Sequence, residues 1–216
     1  MSPIRPAVTV VVGFTLLLGL AMPAVMTGLA TTLLPGPAGG SLIQRDGHVI
    51  GSALIGQNFT GDRYFHGRPS ATTAPDPQDS SRTVDAPYNA ASSAASQRGP
   101  SSQALIGAVR ERVAAAGPGP VPADAVTASG SGLDPDISPE NAVRQVARVA
   151  QARGMPEDQV CAILARNTTA PALGFLGAPR VNVLRLNLAL DAAADHAGVV
   201  PGSGCAGPGQ SVARQG

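Results

Sequence analysis

The chain has no lysine and no tryptophan: all 15 of its basic residues are arginine. Without a lysine ammonium it cannot build a G-x-x-x-x-G-K-[ST] phosphate loop, a Ser-Lys nucleophile pair or a Schiff-base enzyme. Charge is scarce, at 13% of positions with a net charge of +1, and the arginines are scattered rather than striped among aromatics, so nucleic-acid binding has no electrostatic support. Its 2 cysteines define no disulfide framework. Cys161 falls within a helical pattern, where a small buried apolar residue is expected. Cys205 lies in a Gly/Pro-rich tail, and spacing alone does not establish a Cys161–Cys205 bond. His48, His66 and His196 have no metal-ligand spacing, and no H-x-x-x-H or C-x-x-C pattern occurs. Ser129 and Ser131 in TASGSGLD lack the G-x-S-x-G order of a nucleophile elbow. A triad of Ser131, His66 and Asp134 therefore has no sequence support.

What is present begins with an apolar run. Residues 7–34 carry no charge, and as a helix they would extend about 42 Å, against a hydrocarbon core of about 30 Å. The run is much longer than the h-region of a signal peptide, although Gly28-Leu29-Ala30 has the small residues of a cleavage site. A permanent transmembrane helix over 7–34 is the expectation. Pro23 should kink it or pack against a neighbour. Arg5 on the near side places the N-terminus in the cytoplasm and the main domain outside.

Residues 35–40 (PGPAGG) read as a breaker and linker, and an extracytoplasmic domain over 41–191 follows. Asp46-Gly47, between Ser41-Leu42-Ile43 and Val49-Ile50, predicts a β-hairpin. Ser101 or Ser102 should cap a helix carrying Leu105, Val109 and Val113 and ending at Gly117-Pro118. Ser138-Pro139 should start a second helix that ends at Gly154, and Pro156 a third with Val160, Ile163 and Leu164 on one face. The stretch 181–191 fits a strand or a helix, with a helix favoured after Asn182. A long loop over about 72–100, irregular in 72–87, and a disordered tail over 192–216 complete a mixed α/β chain: one transmembrane helix followed by a single extracytoplasmic α/β domain.

One stretch stands apart. Three of the six aromatics, Phe59, Tyr64 and Phe65, fall in the Gly-rich segment GQNFTGDRYFHGRPSAT (56–72), with Asn58, Arg63 and Arg68. Aromatic and arginine side chains carry much of the energy of interfaces, so Asn58, Phe59, Tyr64, Phe65 and Arg68 are candidates for a partner-docking surface. Phe59 and Phe65 could equally plug the domain's own core, and both readings can hold together.

GSALIGQNFTGDRYFHGRPSAT (51–72), VPADAVTASGSGLDPDISPENAVRQVARVAQARG (121–154) and GAPRVNVLRLNLALD (177–191) closely resemble the C subunits of the Kdp potassium-transporting ATPase. Arg5-Pro6-Ala7 and the span with Pro23 match as well, so the resemblance runs from Arg5 to Asp191. Two departures stand out. Residues 73–86 form an insertion, and Gln97 and Ser102 replace asparagines of the family's Ser-Asn-Leu-Gly-Pro-Ser-Asn-Pro loop.

The resemblance implies a noncatalytic accessory subunit of a high-affinity, ATP-driven potassium uptake complex in the plasma (inner) membrane. The implied partners are a channel-like potassium-selecting subunit, an ATP-hydrolysing P-type subunit, a small stabilising subunit and membrane lipid. It further implies a role in assembly and in raising the ATP affinity of the pump subunit. Gln97 and Ser129 are the nucleotide-binding candidates on that account; no cofactor is expected to bind tightly, and ATP would act through the complex. No D-K-T-G or T-V-G-Y-G-like run is present, so the chain carries neither the phosphorylation site nor the carbonyl filter. A membrane-anchored binding module outside any pump complex is the alternative.

Overall fold

The computed structural model describes residues 3–195. The chain divides into two units, Met1–Ser52 and Ala53–Gly216. In the first, α1 (Ile4–Leu16), a π-helical turn (Leu17–Ala21) and α2 (Met22–Leu33) form one helix. Its 30 residues are apolar and long enough to cross a membrane. Helix formation starts earlier than the charge pattern suggests, because Pro6 sits in the first turn, where its missing N–H costs no hydrogen bond.

The π turn lies just before Pro23. There the Met22 N–H reaches back to the Leu17 carbonyl, which widens the helix at the point where a proline ring would strike the carbonyl four residues earlier. Residues 35–38, expected as plain linker, form a single turn, α3 (Pro35–Ala38), since Pro35 and Pro37 preset helical φ. The expected hairpin is β1 (Leu42–Arg45) with β2 (His48–Ser52). Asp46 and Gly47 take φ of 52° and 78° at its turn, as the tight primed turn demands.

The second unit holds the core. The order is β3 (Thr73–Pro75), β4 (Thr83–Asp85), α4 (Gln103–Ala115), α5 (Ala123–Val126), β5 (Asp136–Ile137), α6 (Pro139–Arg153), α7 (Glu157–Arg166), β6 (Thr168–Thr169), β7 (Arg180–Asn182) and α8 (Val183–Asp195). β5, β7 and β6 make a small antiparallel sheet with β7 central. Ala142, Val146, Val149 and Ala150 of α6, Val160 and Leu164 of α7, and Val183, Leu186 and Leu190 of α8 close over Ile137 and Val181. Their helical spacing puts each set on one stripe. Burying each Val or Leu contributes about 1.5–3 kcal/mol.

The start of α6 is secured twice. Ser138 Oγ accepts from the Asn141 N–H at 3.1 Å. The Asp124 carboxylate accepts from the Ser138 N–H (2.8 Å), the Ser138 hydroxyl (2.9 Å) and the Asn141 amide (3.1 Å), which also sets a negative charge at the positive end of the helix. Gly154 ends α6 in the left-handed conformation, φ 65°.

Three expectations change. Residues 72–87 are not irregular: β3 and β4 pair antiparallel. Asp76 and Asp79 turn the chain between them by accepting the N–H groups of Gln78 and Ser81, the local bonding that makes aspartate a turn residue. No residue of α4 is buried, although its apolar spacing suggests a core face. α8 continues to Asp195, past the expected end of the domain. The remainder of the expected tail lies outside the described residues. Cys161 is buried in the core, as expected of its pattern, and is also disulfide-bonded; Cys205 lies outside the described residues.

Candidate functional site

Segment 56–72 has no helix or strand of its own, yet side chains from two helices satisfy its backbone. Asn187 of α8 accepts the Phe65 N–H at 2.8 Å and donates to the Phe65 carbonyl at 3.0 Å. Gln145 of α6 does the same for His66, accepting at 2.8 Å and donating at 3.2 Å. Two amide side chains thus stand in for a neighbouring strand. Arg148 donates to the carbonyls of Asp62 and Tyr64, at 2.7 and 3.1 Å. Arg153 donates to the Arg63 carbonyl at 2.6 Å, pairs with Asp191 at 2.9 Å and lies over the Tyr64 ring, 5.1 Å from its centre.

The glycines of the segment have a steric reason. The Tyr88 ring packs against Gly56 and Gly67, where a Cβ would collide with it; at Gly56 the Cβ would also come within 2.7 Å of the Asp134 carbonyl. The Tyr88 hydroxyl donates to the Arg68 carbonyl at 2.7 Å, and burial pushes its pKa up to about 12. Arg68 pairs with Asp134 at 2.8 Å, which ties the segment to the turn 127–134. In that turn the buried Ser129 hydroxyl accepts the Gly132 N–H at 2.8 Å.

The five docking candidates separate by depth. Asn58 is exposed, and Phe59 and Tyr64 are half-buried with ring centres 5.4 Å apart. Arg68 is half-buried in its ion pair. Phe65 is completely buried among the core side chains; it plugs the core and has no surface to offer a partner. Asp62 and Arg63 are the exposed charges of the segment.

Gln97 is exposed with a positive φ of 50°. Its neighbours Ser96 and Arg98, with Ala128 beside Ser129, line a polar cleft of about 420 Å³ that also holds Asp85 and Arg112. Arg98 and Arg112 each donate to a backbone carbonyl, of Ala104 and Val126. The Ser, His and Asp that a triad would need are engaged separately. The His66 ring bonds the Gly61 carbonyl, Asp134 pairs with Arg68, and Ser131 Oγ accepts the Leu133 N–H. Among the described residues no group of His, Cys, Asp and Glu could hold a metal.

Gln145, Arg148, Arg153, Asn187 and Tyr88 do not stand out in the sequence as members of this site. Asn187 carries a signal: a lone amide within the apolar helix VLRLNLAL must find a buried partner. The others carry none, because their partners are backbone groups some 20 to 90 positions away.

The family model for the c chain of the K+-transporting ATPase, KdpC, matches residues 4–192. The potassium-transporting ATPase KdpC subunit of Rhodopseudomonas palustris is 59% identical over 198 residues, covering 90% of this chain and 98% of the relative. The KdpC subunit of Methylobacterium nodulans is also 59% identical, over 88% of this chain and 97% of its own length. That of Bradyrhizobium diazoefficiens is 58% identical, over 90% and 98%. The matched span takes in the apolar helix, the side-chain-braced segment 56–72 and the α6–α7–α8 core, so the chain belongs to the KdpC family, the c chains of K+-transporting ATPases.

Proposed function

We propose that the chain is the noncatalytic, single-span subunit of a potassium-uptake ATPase, with its N-terminus cytoplasmic and its main domain outside, and that segment 58–68 docks on the channel-like, potassium-selecting subunit. One observation carries this reading. The backbone of residues 62–66 is fixed by Gln145, Arg148, Arg153 and Asn187, which leaves Asn58, Asp62 and Arg63 exposed beside half-buried aromatic rings. A loop ordered before it meets its partner loses little entropy on binding. The ATP-hydrolysing and small stabilising subunits complete the assembly, and membrane lipid surrounds the span.

On this reading the subunit acts on ATP hydrolysis through assembly, and no cofactor binds it tightly. The Ser129 hydroxyl is occupied by the Gly132 N–H. In the cleft beside Gln97 the two arginines, Arg98 and Arg112, already donate to the backbone carbonyls of Ala104 and Val126 and share the space with the Asp85 carboxylate, so no preformed clamp for a triphosphate stands there. Any rise in the pump's ATP affinity would then travel through the membrane subunits.

Co-purification after mild detergent extraction tests the docking. Asn58→Ala with Arg63→Glu should release the subunit from the complex and lower potassium-stimulated ATP hydrolysis while leaving the melting temperature of the isolated chain unchanged. Retention of the doubly substituted chain at the wild-type yield would refute the docking segment. Calorimetry of the full chain with magnesium and ATP should give only the heat of dilution; saturable binding lost on Gln97→Ala or Ser129→Ala would establish direct nucleotide contact instead.

A further inference from the structure

β6 and β7 are joined by a loop whose apolar side chains face solvent. Leu173, Phe175 and Leu176 are 81%, 75% and 52% exposed. Phe175 is the most exposed side chain among the chain's few aromatics, and the loop is uncharged from residue 167 to 179, with Arg166 and Arg180 at its two ends. It is also a built loop. Ala172 and Leu176 bridge each other through N–H···O bonds of 3.0 and 2.9 Å, and the Gly174 N–H bonds the Pro171 carbonyl at 3.1 Å. Leu173 takes a φ of 54°, followed by Gly174 at 81° and Gly177 at 88°. A leucine enters that left-handed region only against its own Cβ, and backbone strain of this kind gathers where a loop must hold a particular shape.

We propose that the tip Leu173–Leu176 inserts into the headgroup–acyl boundary of the membrane that anchors the chain. Three observations select lipid as the occupant. The chain carries its own membrane-length apolar helix, and only residues 34–52 separate that helix from the unit holding the tip, so the domain works at high local lipid concentration. The tip is a protruding loop of small, apolar and aromatic residues, a shape that a fluid interface accommodates without a preformed pocket. Of the two arginines that flank the uncharged run, Arg180 pairs with Asp136 at 3.2 Å, and the exposed Arg166 suits a phosphate headgroup above an inserted apolar tip. This inference stands apart from the docking of segment 58–68 and can hold or fail without it.

The absence of tryptophan from the chain makes the test direct. Full-length chain with Phe175→Trp is reconstituted into vesicles of phosphatidylcholine and phosphatidylglycerol carrying a doxyl quencher near the headgroup. Val113→Trp, on the exposed flank of α4, serves as the solvent reference, and Leu176→Trp as a second reporter should the first variant misfold. The expected result is a blue-shifted emission at the tip that the doxyl lipid quenches, abolished by Leu173→Asp, with no quenching of the reference. Tip emission as unquenched as the reference would overturn the proposal. Emission that shifts only when the other pump subunits are added, and stays unquenched by lipid, would overturn it in favour of a protein partner.

Discussion

Tyr88 and the two glycines that face it show how single residues set the shape of segment 56–72. At Gly67 the nearest atom to an added Cβ is the Tyr88 hydroxyl, and the ring carbon behind it is 3.2 Å away; at Gly56 the obstacles are the ring edge and the Asp134 carbonyl. Gly67→Ala should therefore destabilise the chain by about 1–3 kcal/mol, and Tyr88→Phe should partly restore it by removing the colliding oxygen. Gly56→Ala should gain nothing from Tyr88→Phe. A double-mutant cycle by thermal melting checks both, and equal rescue at the two sites would dismiss the packing described here. His66 supplies a pH dependence. Burial, with a smaller contribution from the Arg148 charge, lowers its pKa below 6.5, while the Gly61 carbonyl and Asp62 oppose the shift. The unfolded ring then takes up its proton first, so stability falls as pH drops through 6.5 and levels off once the folded ring is protonated as well. His66→Gln should flatten that part of the melting-temperature profile.

Among the elements, α6 has the strongest start. Ser138→Ala removes the cap bond from the Asn141 N–H together with the hydroxyl's own bond to Asp124, and should cost about 1 kcal/mol. Asp124→Ala strips the acceptor from the Ser138 N–H, the Ser138 hydroxyl and the Asn141 amide together; left part-buried without partners, these groups should make it the costlier change, about 1–3 kcal/mol. Chemical denaturation of the two variants ranks them. Ser138 and Gly154 make α6 legible in the sequence, because capping is local chemistry written within a few residues. The β1–β2 hairpin is legible from Asp46-Gly47 for the same reason, and the switch from strand to helix at Asn182–Val183 from a change of apolar period. β3 and β4 are not: a pairing of three residues across a turn rich in Pro, Asp and Ser has no apolar alternation to announce it. The core role of Phe65 is one of two readings that composition allows, and composition does not choose between them, since the amide that holds its backbone in place sits on α8, 122 positions away.

On the scale of the whole molecule, the two units dispose of their apolar side chains differently. The N-terminal helix is long and apolar enough to cross a membrane, with no buried residue in α1 or α2, and Thr9, Thr15, Thr31 and Thr32 turn their hydroxyls back onto helix carbonyls, Thr31 to Thr27 at 2.8 Å, the pairing that a hydroxyl needs in an apolar medium. The second unit closes its core by contacts that are remote in sequence, and segment 56–72 is the extreme case. Such remoteness also governs timing. The amide hydrogens of Phe65 and His66 belong to no helix or strand, yet they end on Asn187 and Gln145 in the interior of α8 and α6. They can exchange with solvent only when those helices let the segment go, so in deuterium oxide they should persist alongside helical amides, while the amides of the exposed residues Thr60–Asp62 vanish early. Asn187→Ala should bring Phe65 into the fast class. Rapid exchange of both amides in the intact chain would mean that the segment opens by itself, on its own clock.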